Sequence, residues 1–240
     1  MSDGVVLTAG GSGMPAMHAE RGGEAVHLDL GAALLSKASV SEQDNNAYVL
    51  TCRASGRQLL VDAADETASV MALVASAAAA AGRGLHDVRA VVTTHGHWDH
   101  HRALADVVVA TGAPCLAGRE DAGDLPVACD RLLDGGDTVQ VGELSLQVVH
   151  LRGHTPGSVA LVLPGEGDRP GAVLTGDSLF PGGVGNTWQD PARFTSLLDD
   201  VEARLFDVLG DDTVVAPGHG DGTSLGAERP SLPVWRARGW

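Results

Sequence analysis

Four side chains able to bind a transition metal crowd into one hexapeptide, His95-Gly96-His97-Trp98-Asp99-His100, directly after the apolar run Ala90–Thr94. A short apolar run of this kind reads as a buried strand. A loop leaving its end can fold neighbouring side chains toward one point, and Gly96 relaxes the backbone between the first two histidines. Imidazole nitrogen and carboxylate oxygen both suit zinc, and imidazole also suits iron. A polar surface loop is the competing reading, and four donors at this spacing behind a buried strand weigh against it.

The rest of the chain reads as an α/β order. Residues 1–24 are rich in Gly and small side chains and are expected to form an irregular arm. Strand-like runs follow at Ala25–Leu30, Ala47–Cys52 and Gln58–Val61, the last two separated by a hairpin-like Ala-Ser-Gly-Arg. Glu66–Ala81 is helical by composition and stops at Gly82. A helix is expected from Asp99 to about Ala110, stopping at Gly112, followed by a short strand around Pro114–Leu116. Thr138–Val141 and Leu144–Leu151 flank a Gly142-Glu143 turn, and Ser158–Leu163 and Ala172–Leu174 are two further strands. Pro191–Leu209 carries Phe194, Leu197, Leu198, Val201 and Leu205 at helical spacing, with Pro191 suited to a first turn. Thr213–Ala216 is the last strand. No linker divides residues 1–240, so one domain is expected, with the arm at its start. Two packed sheets with helices outside suit this order, although periodicity alone leaves other α/β layouts open.

Three downstream segments place further donors just past strand ends: Gly153-His154-Thr155-Pro156-Gly157, Thr175-Gly176-Asp177-Ser178-Leu179-Phe180 and Pro217-Gly218-His219-Gly220. Together with the hexapeptide these segments resemble, in order, the motifs of the metallo-β-lactamase superfamily, over roughly residues 47–220. The resemblance implies an α/β (α+β) fold, a four-layer αββα sandwich. It also implies a binuclear centre of two divalent metal ions, zinc by preference, with iron or manganese as alternatives. His95, His97 and His154 would hold the first ion, Asp99, His100 and His219 the second, and Asp177 would bridge them. Asp62, after Leu59-Leu60-Val61, resembles the superfamily's first acidic motif and is expected to support the ligand loops rather than bind metal. Two such ions share a water and depress its pKa. Asp99 is the expected catalytic residue, orienting that water or receiving its proton, and no serine or cysteine nucleophile is required.

Asp177 is similar to its counterpart in the glyoxalase II, lactonase, persulfide dioxygenase and nuclease branches, whereas true zinc β-lactamases generally lack an aspartate there. The GHTPGS and TGDSLFPGG segments most resemble the glyoxalase II-like group. That likeness implies hydrolysis of a thioester, such as a hydroxyacyl conjugate of a low-molecular-weight thiol. The alternatives are a mononuclear iron enzyme resembling persulfide dioxygenase, built on His95, His97, His154 and Asp177, and a lactonase of the same fold. A protein that only binds is a different class, and the complete donor set argues against it. Asn186 stands where related enzymes often have arginine. Only 21 residues (240 − 219) follow His219 where glyoxalase II has a helical domain, so the thiol carrier, glutathione or another, stays open. Asn186, Thr187 and Trp188 are expected in the substrate wall, with a structural loop as the alternative reading.

A formal net charge of −15 repels a phosphate backbone and argues against nucleic acid as substrate or partner. No apolar run reaches the roughly 18 residues needed to span a bilayer. The N-terminus lacks the basic start and apolar core of a secretory signal. A cytoplasmic protein acting on a small molecule, without membrane contact, is expected, and the oligomeric state stays open. Cys52, Cys115 and Cys129 are widely separated, odd in number and form no CxxC pair, so no disulfide framework is expected. His18, His27, His86, His101 and His150 belong to no motif and read as surface or packing residues. Trp98 is expected to pack beside the metal loop, and Trp235 and Trp240 in the tail Arg229–Trp240 to join the core.

Overall fold

Every residue of the strand Asn46–Cys52 is buried, and its side chains part between two cores: Tyr48, Leu50 and Cys52 enter one, Ala47 and Val49 the other. Successive strand residues point to opposite faces, so such a strand must lie in a sheet covered on both sides. The same holds for Val159–Leu163, whose odd-numbered residues join the first core while Ala160 and Val162 join a third. Two sheets packed face to face, each with helices outside, satisfy both patterns. The computed structural model, which describes residues 6–8 and 17–239, has this αββα layering.

The first sheet runs in chain order through eight strands: β1 (Val6–Thr8), β2 (Val26–Asp29), β3 (Ala33–Ser39), β4 (Asn46–Cys52), β5 (Arg57–Val61), β6 (Asp87–Thr93), β7 (Cys115–Gly118) and β8 (Arg131–Leu133). β2 to β5 pair antiparallel, and β5 to β8 pair parallel. Parallel neighbours need a crossover, supplied by α1 (Thr67–Ala80) between β5 and β6 and α2 (Leu104–Thr111) between β6 and β7. Val70, Leu73, Val74, Leu104 and Val107 of these helices pack on Val49, Leu60 and Val91 in the second core.

The second sheet uses β9 (Thr138–Val141), β10 (Leu144–His150), β11 (Val159–Leu163) and β12 (Ala172–Gly176). Beyond a small hairpin of β13 (Leu179–Phe180) and β14 (Gly183–Val184), it is completed by β15 (Val214–Pro217) and β16 (Thr223–Ser224). The spatial order is β16-β15-β12-β11-β10-β9. β12 and β15 are parallel, and α3 (Pro191–Val201) with a π-helical turn at Glu202–Phe206 makes their crossover. α4 (Leu225–Glu228) and α5 (Leu232–Arg238) end the described chain, and Trp235 joins α3 in the third core. Trp240 lies outside the described residues.

The structure departs from the sequence reading in several places, each with a physical cause. The helix expected from Asp99 begins only at Leu104, because Trp98–His100 form a 3₁₀ turn. The Arg102 and Ala103 amides, which a continuous helix would bond to residues 98 and 99, bond instead to the Ala64 and Ala63 carbonyls at 3.0 and 3.1 Å. β3 was not anticipated because Ser36, Lys37 and Ser39 break its apolar pattern, and each has a tertiary partner, respectively His27, the Gly220 carbonyl and Asp44. The arm expected to be irregular contributes β1, three residues paired parallel to β2 with Leu7 packed against the first core, a strand too short for alternation to reveal. Residues 17–24 contain no helix or strand, and the remainder of the arm, 1–5 and 9–16, lies outside the described residues. The last long helix changes to its π turn after Val201 and ends at Phe206, short of Leu209. Cys115 and Cys129 are free thiols whose sulfurs approach to 3.5 Å. No described helix is long and apolar enough to cross a membrane.

Candidate metal centre

Strand direction gathers the donors. β10, β12 and β15 run the same way, since β11 is antiparallel to both of its neighbours and β12 is parallel to β15. Their carboxyl ends therefore share one edge, and the residues just beyond them are His154, Asp177 and His219. Across the sandwich, the parallel strands β5 and β6 end at Asp62 and at the His95–His100 loop.

Two donor groups result. His95, His97, His154 and Asp177 each offer one ligand atom within 4.8 Å of the others, and Asp99, His100 and His219 do the same. His95 Nε2 and His97 Nδ1 face each other at 3.0 Å, and His100 Nε2 and His219 Nε2 at 3.2 Å. Asp177 touches both groups: Oδ2 is 3.5 Å from His154 Nε2 and 3.5 Å from His219 Nε2, while Oδ1 is 3.4 Å from His100 Nε2. Asp99 Oδ2 lies 3.4 Å from His219 Nε2.

The outward ring nitrogens orient the inward ones. His154 Nδ1 donates to the Asn186 carbonyl at 2.9 Å and His219 Nδ1 to the Gln43 carbonyl at 2.8 Å. Each bond fixes the tautomer and leaves Nε2 a lone pair aimed into the site. Asp62 occupies the place expected of it. Its Oδ1 accepts the Thr94 amide at 2.7 Å, and its Oδ2 accepts the Thr94 hydroxyl at 2.8 Å and faces His100 Nδ1 at 3.1 Å. Gly218 is required, since a Cβ there would collide with Asp177 Oδ1 and His100.

Burial pushes the His95 imidazole well below its usual range, and burial also lowers His97 and His154, so these three present neutral nitrogens at neutral pH. For His100 burial also works against the charge, but hydrogen bonds to Asp177 and Asp62 outweigh it and raise the group to about 10. His219 is raised in the same way, burial being outweighed by Asp99 and Asp177. Asp99 and Asp177 sit below the usual carboxylate range despite burial, held there by His219 and Asn45 in one case and by His100 in the other.

The donor set fits divalent transition-metal ions. His154 Nε2 is buried and has no hydrogen-bond partner among the described residues, an orphan that a cation would satisfy. Imidazole nitrogens with two carboxylates, one in contact with both groups, are the ligand chemistry of zinc and iron.

The three residues expected in the substrate wall take different places. Trp188 is half exposed, stacks on His154 with ring centroids 5.6 Å apart and meets His97 edge-on. It adopts φ 54°, a left-handed conformation costly for a bulky residue. Asn186 gives its carbonyl to His154 and its Oδ1 to the Trp188 amide, whereas Thr187 is buried. Trp98, expected to pack beside the metal loop, is 61% exposed with the Arg102 guanidinium 3.7 Å above its ring.

Several supporting residues escaped the sequence reading. Asn45 Nδ2 donates to Asp99 Oδ2 at 3.1 Å, and the carbonyls of the His219 loop are held by Tyr48, Asn46 and Lys37. Polar residues beside a buried strand were the only signal available. Among the histidines outside the motifs, His27 packs against Ser36 and Ser76, His101 meets the Gly96 carbonyl, His150 the Pro156 carbonyl, and His18 pairs with Asp221 at the surface.

Comparison with known proteins agrees with this geometry. The profile of the metallo-beta-lactamase superfamily matches residues 41–219. A hydroxyacylglutathione hydrolase of Fuscovulum blasticum is 37% identical over 178 residues, covering 74% of this chain and 63% of that protein. The chain thus spans less than two thirds of the length of that relative. Among solved structures, ETHE1 from Myxococcus xanthus aligns with a TM-score of 0.67 at 27% identity, covering 83% of each chain. A protein crystallised in a di-iron-bound form aligns with a TM-score of 0.64 at 30% identity, covering 82% of this chain and 98% of its own.

Proposed function

The chain belongs to the metallo-beta-lactamase superfamily, and from that premise we propose that it is a metal-dependent hydrolase of thioesters, acting on a hydroxyacyl conjugate of a small thiol. The observation that carries the hydrolytic reading is Asp177, whose carboxylate contacts the nitrogens of both donor groups. Two divalent ions, zinc by preference, are proposed on His95, His97, His154 and Asp177 and on Asp99, His100, His219 and Asp177. The choice of a thioester is supported by the likeness to a hydroxyacylglutathione hydrolase.

When bound, such ions supply Lewis acidity toward a carbonyl and lower the pKa of water. Asp99 is the proposed proton acceptor: its carboxylate stays ionised at neutral pH, and Asn45 and His219 aim its Oδ2. As the water oxygen bonds to the acyl carbon its proton passes to Asp99, the carbon–sulfur bond breaks, and the thiolate leaves to take a proton from solvent. Trp188 offers an apolar face beside His154 and His97, so the acyl group is proposed to lie against it, with Asn186 and Thr187 holding that face in place. A cavity of roughly 800 Å³, lined in part by Phe180, Val184, Arg238 and Asn186, whose carbonyl accepts from His154, is proposed to take the thiol. The described residues share one inter-sheet core, which supports a single catalytic domain.

The test is metal content together with turnover of the purified protein on thioesters, lactones, β-lactams and persulfides. About two ions per chain and hydrolysis fastest on thioesters are expected. One iron per chain with oxygen consumption on persulfides would replace this reading, and faster turnover of lactones would redirect its substrate class.

A further inference from the structure

Asp121 is buried in the segment that leaves β7, the strand beside β6, and it belongs to no metal-ligand motif. Its two oxygens accept from two different ligand loops. Oδ2 accepts the Gly96 amide at 2.9 Å and the Thr155 hydroxyl at 2.5 Å, and Oδ1 accepts the Gly157 amide at 2.7 Å. Gly96 separates His95 from His97, and Thr155 follows His154. One carboxylate thus joins the backbone of the first histidine pair to the loop of the third histidine, across the two sheets. Contact is close: a Cβ on Gly157 would come within 2.5 Å of the Asp121 amide nitrogen and 2.8 Å of its Oδ1. The Asp121 amide is itself tied to the Gly118 carbonyl at 3.1 Å, at the end of β7, so the carboxylate is presented from a fixed base. The other half of the centre is held by different groups, Asp62 on His100 and Asn45 on Asp99 and His219.

We propose that Asp121 is a positioning residue for the His95–His97–His154 half of the centre, setting the mutual placement of its three nitrogens without touching the ion or the substrate. This rests on the reading that these histidines hold metal and is independent of which ester is cleaved. The reason lies in the acceptor count. A carboxylate accepts at both oxygens, and all three of its partners here are donors. Asparagine has nearly the same shape but exchanges one acceptor for an NH2 group, which would face a loop amide donor to donor and let that loop drift. Loss of such a supporting partner typically weakens metal affinity about 10–100-fold.

The test measures zinc affinity of the full-length, metal-stripped chain by competition with a chromophoric chelator, so it needs no turnover. Asp121→Asn is placed in two backgrounds: His219→Ala, which disables the second half, and His154→Ala, which disables the first. The expected result is a loss of at least about tenfold in the His219→Ala background and less than about threefold in the His154→Ala background. Thr155→Val removes only one of the three bonds and should lower affinity severalfold in the first background alone, which decides the matter if Asp121→Asn folds poorly. Equal losses in both backgrounds, or none in the first, overturn the proposal. Failure of the parent chain to bind zinc would overturn the metal reading itself, whereas zinc binding without thioester turnover would sink only the substrate.

Discussion

Asp99 carries two tasks in the proposed reaction, metal ligand and proton acceptor, and Asn45 and His219 hold its carboxylate in place through Oδ2. Asp99→Asn keeps the shape and removes the proton acceptor, so kcat is expected to fall about 10²–10⁴-fold. Steady-state kinetics beside metal analysis checks this, and unchanged turnover at full metal content would take Asp99 out of the role. Lys37, the single lysine of the chain, is buried in β3 with Nζ donating to the Gly220 carbonyl. Burial pushes its pKa from 10.5 to about 8, with Asp221 and Asp44 pulling the other way. Below about pH 8 the folded and unfolded chains both hold the proton. Between about 8 and 10.5 only the unfolded chain holds it, so this group's contribution to stability rises with pH across that window. At 1.36 kcal/mol per unit the full rise is about 3 kcal/mol. Urea unfolding of metal-free protein at pH 7.5 and 10 should show a term that Lys37→Met lacks, and identical pH dependence in the two proteins would contradict it. The seven donors were legible as residues because each sits in a short motif at a strand end. Asn45, Lys37 and Asp121 were not, because a polar side chain becomes meaningful only through a partner far along the chain.

Among the elements, α3 ties packing to the centre. Asp190 caps it, with Oδ1 accepting from the Ala192 and Arg193 amides at 2.8 and 3.2 Å, and Pro191 opens its first turn. Arg193, in that turn, donates to the Gly153 and His154 carbonyls and lies over the Trp188 ring. Asp190→Ala is expected to cost about 1 kcal/mol of unfolding free energy, read from the urea midpoint at unchanged m-value. An unmoved midpoint would show that the cap contributes nothing. α3 was legible because Phe194, Leu197, Leu198 and Val201 keep helical spacing, and α1 because alanine favours helix. The late start of α2 was not, because the amides of Arg102 and Ala103 are claimed by the loop after β5. β3 was hidden for a related reason: its polar residues break the apolar run yet are buried, Lys37 against a carbonyl far along the chain.

For the whole molecule, the three cores are built from apolar side chains of the strands and helices, whereas the seven donors sit on loops that meet at the sheet edges. Stripping the ions with a chelator is therefore expected to leave the far-ultraviolet circular dichroism unchanged at 25 °C. The thermal midpoint should fall by about 5–10 °C, the size expected for losing a ligand held well above its Kd in a chain of this length. Collapse of the dichroism would mean that metal holds the fold together, and an unmoved midpoint would mean that no metal binds. Short apolar runs alternating with helical segments marked, within the sequence, an α/β chain, and the spacing of His95, His97, Asp99 and His100 marked one strand end as a bearer of metal donors. Both are local properties, carried by neighbours a few residues apart. Which loops meet, which oxygen of Asp177 reaches which histidine, and which carboxylate fastens two loops together were decided only by the packing of the sheets, because those distances join residues separated by tens to more than a hundred positions and exist only once the inter-sheet core has closed.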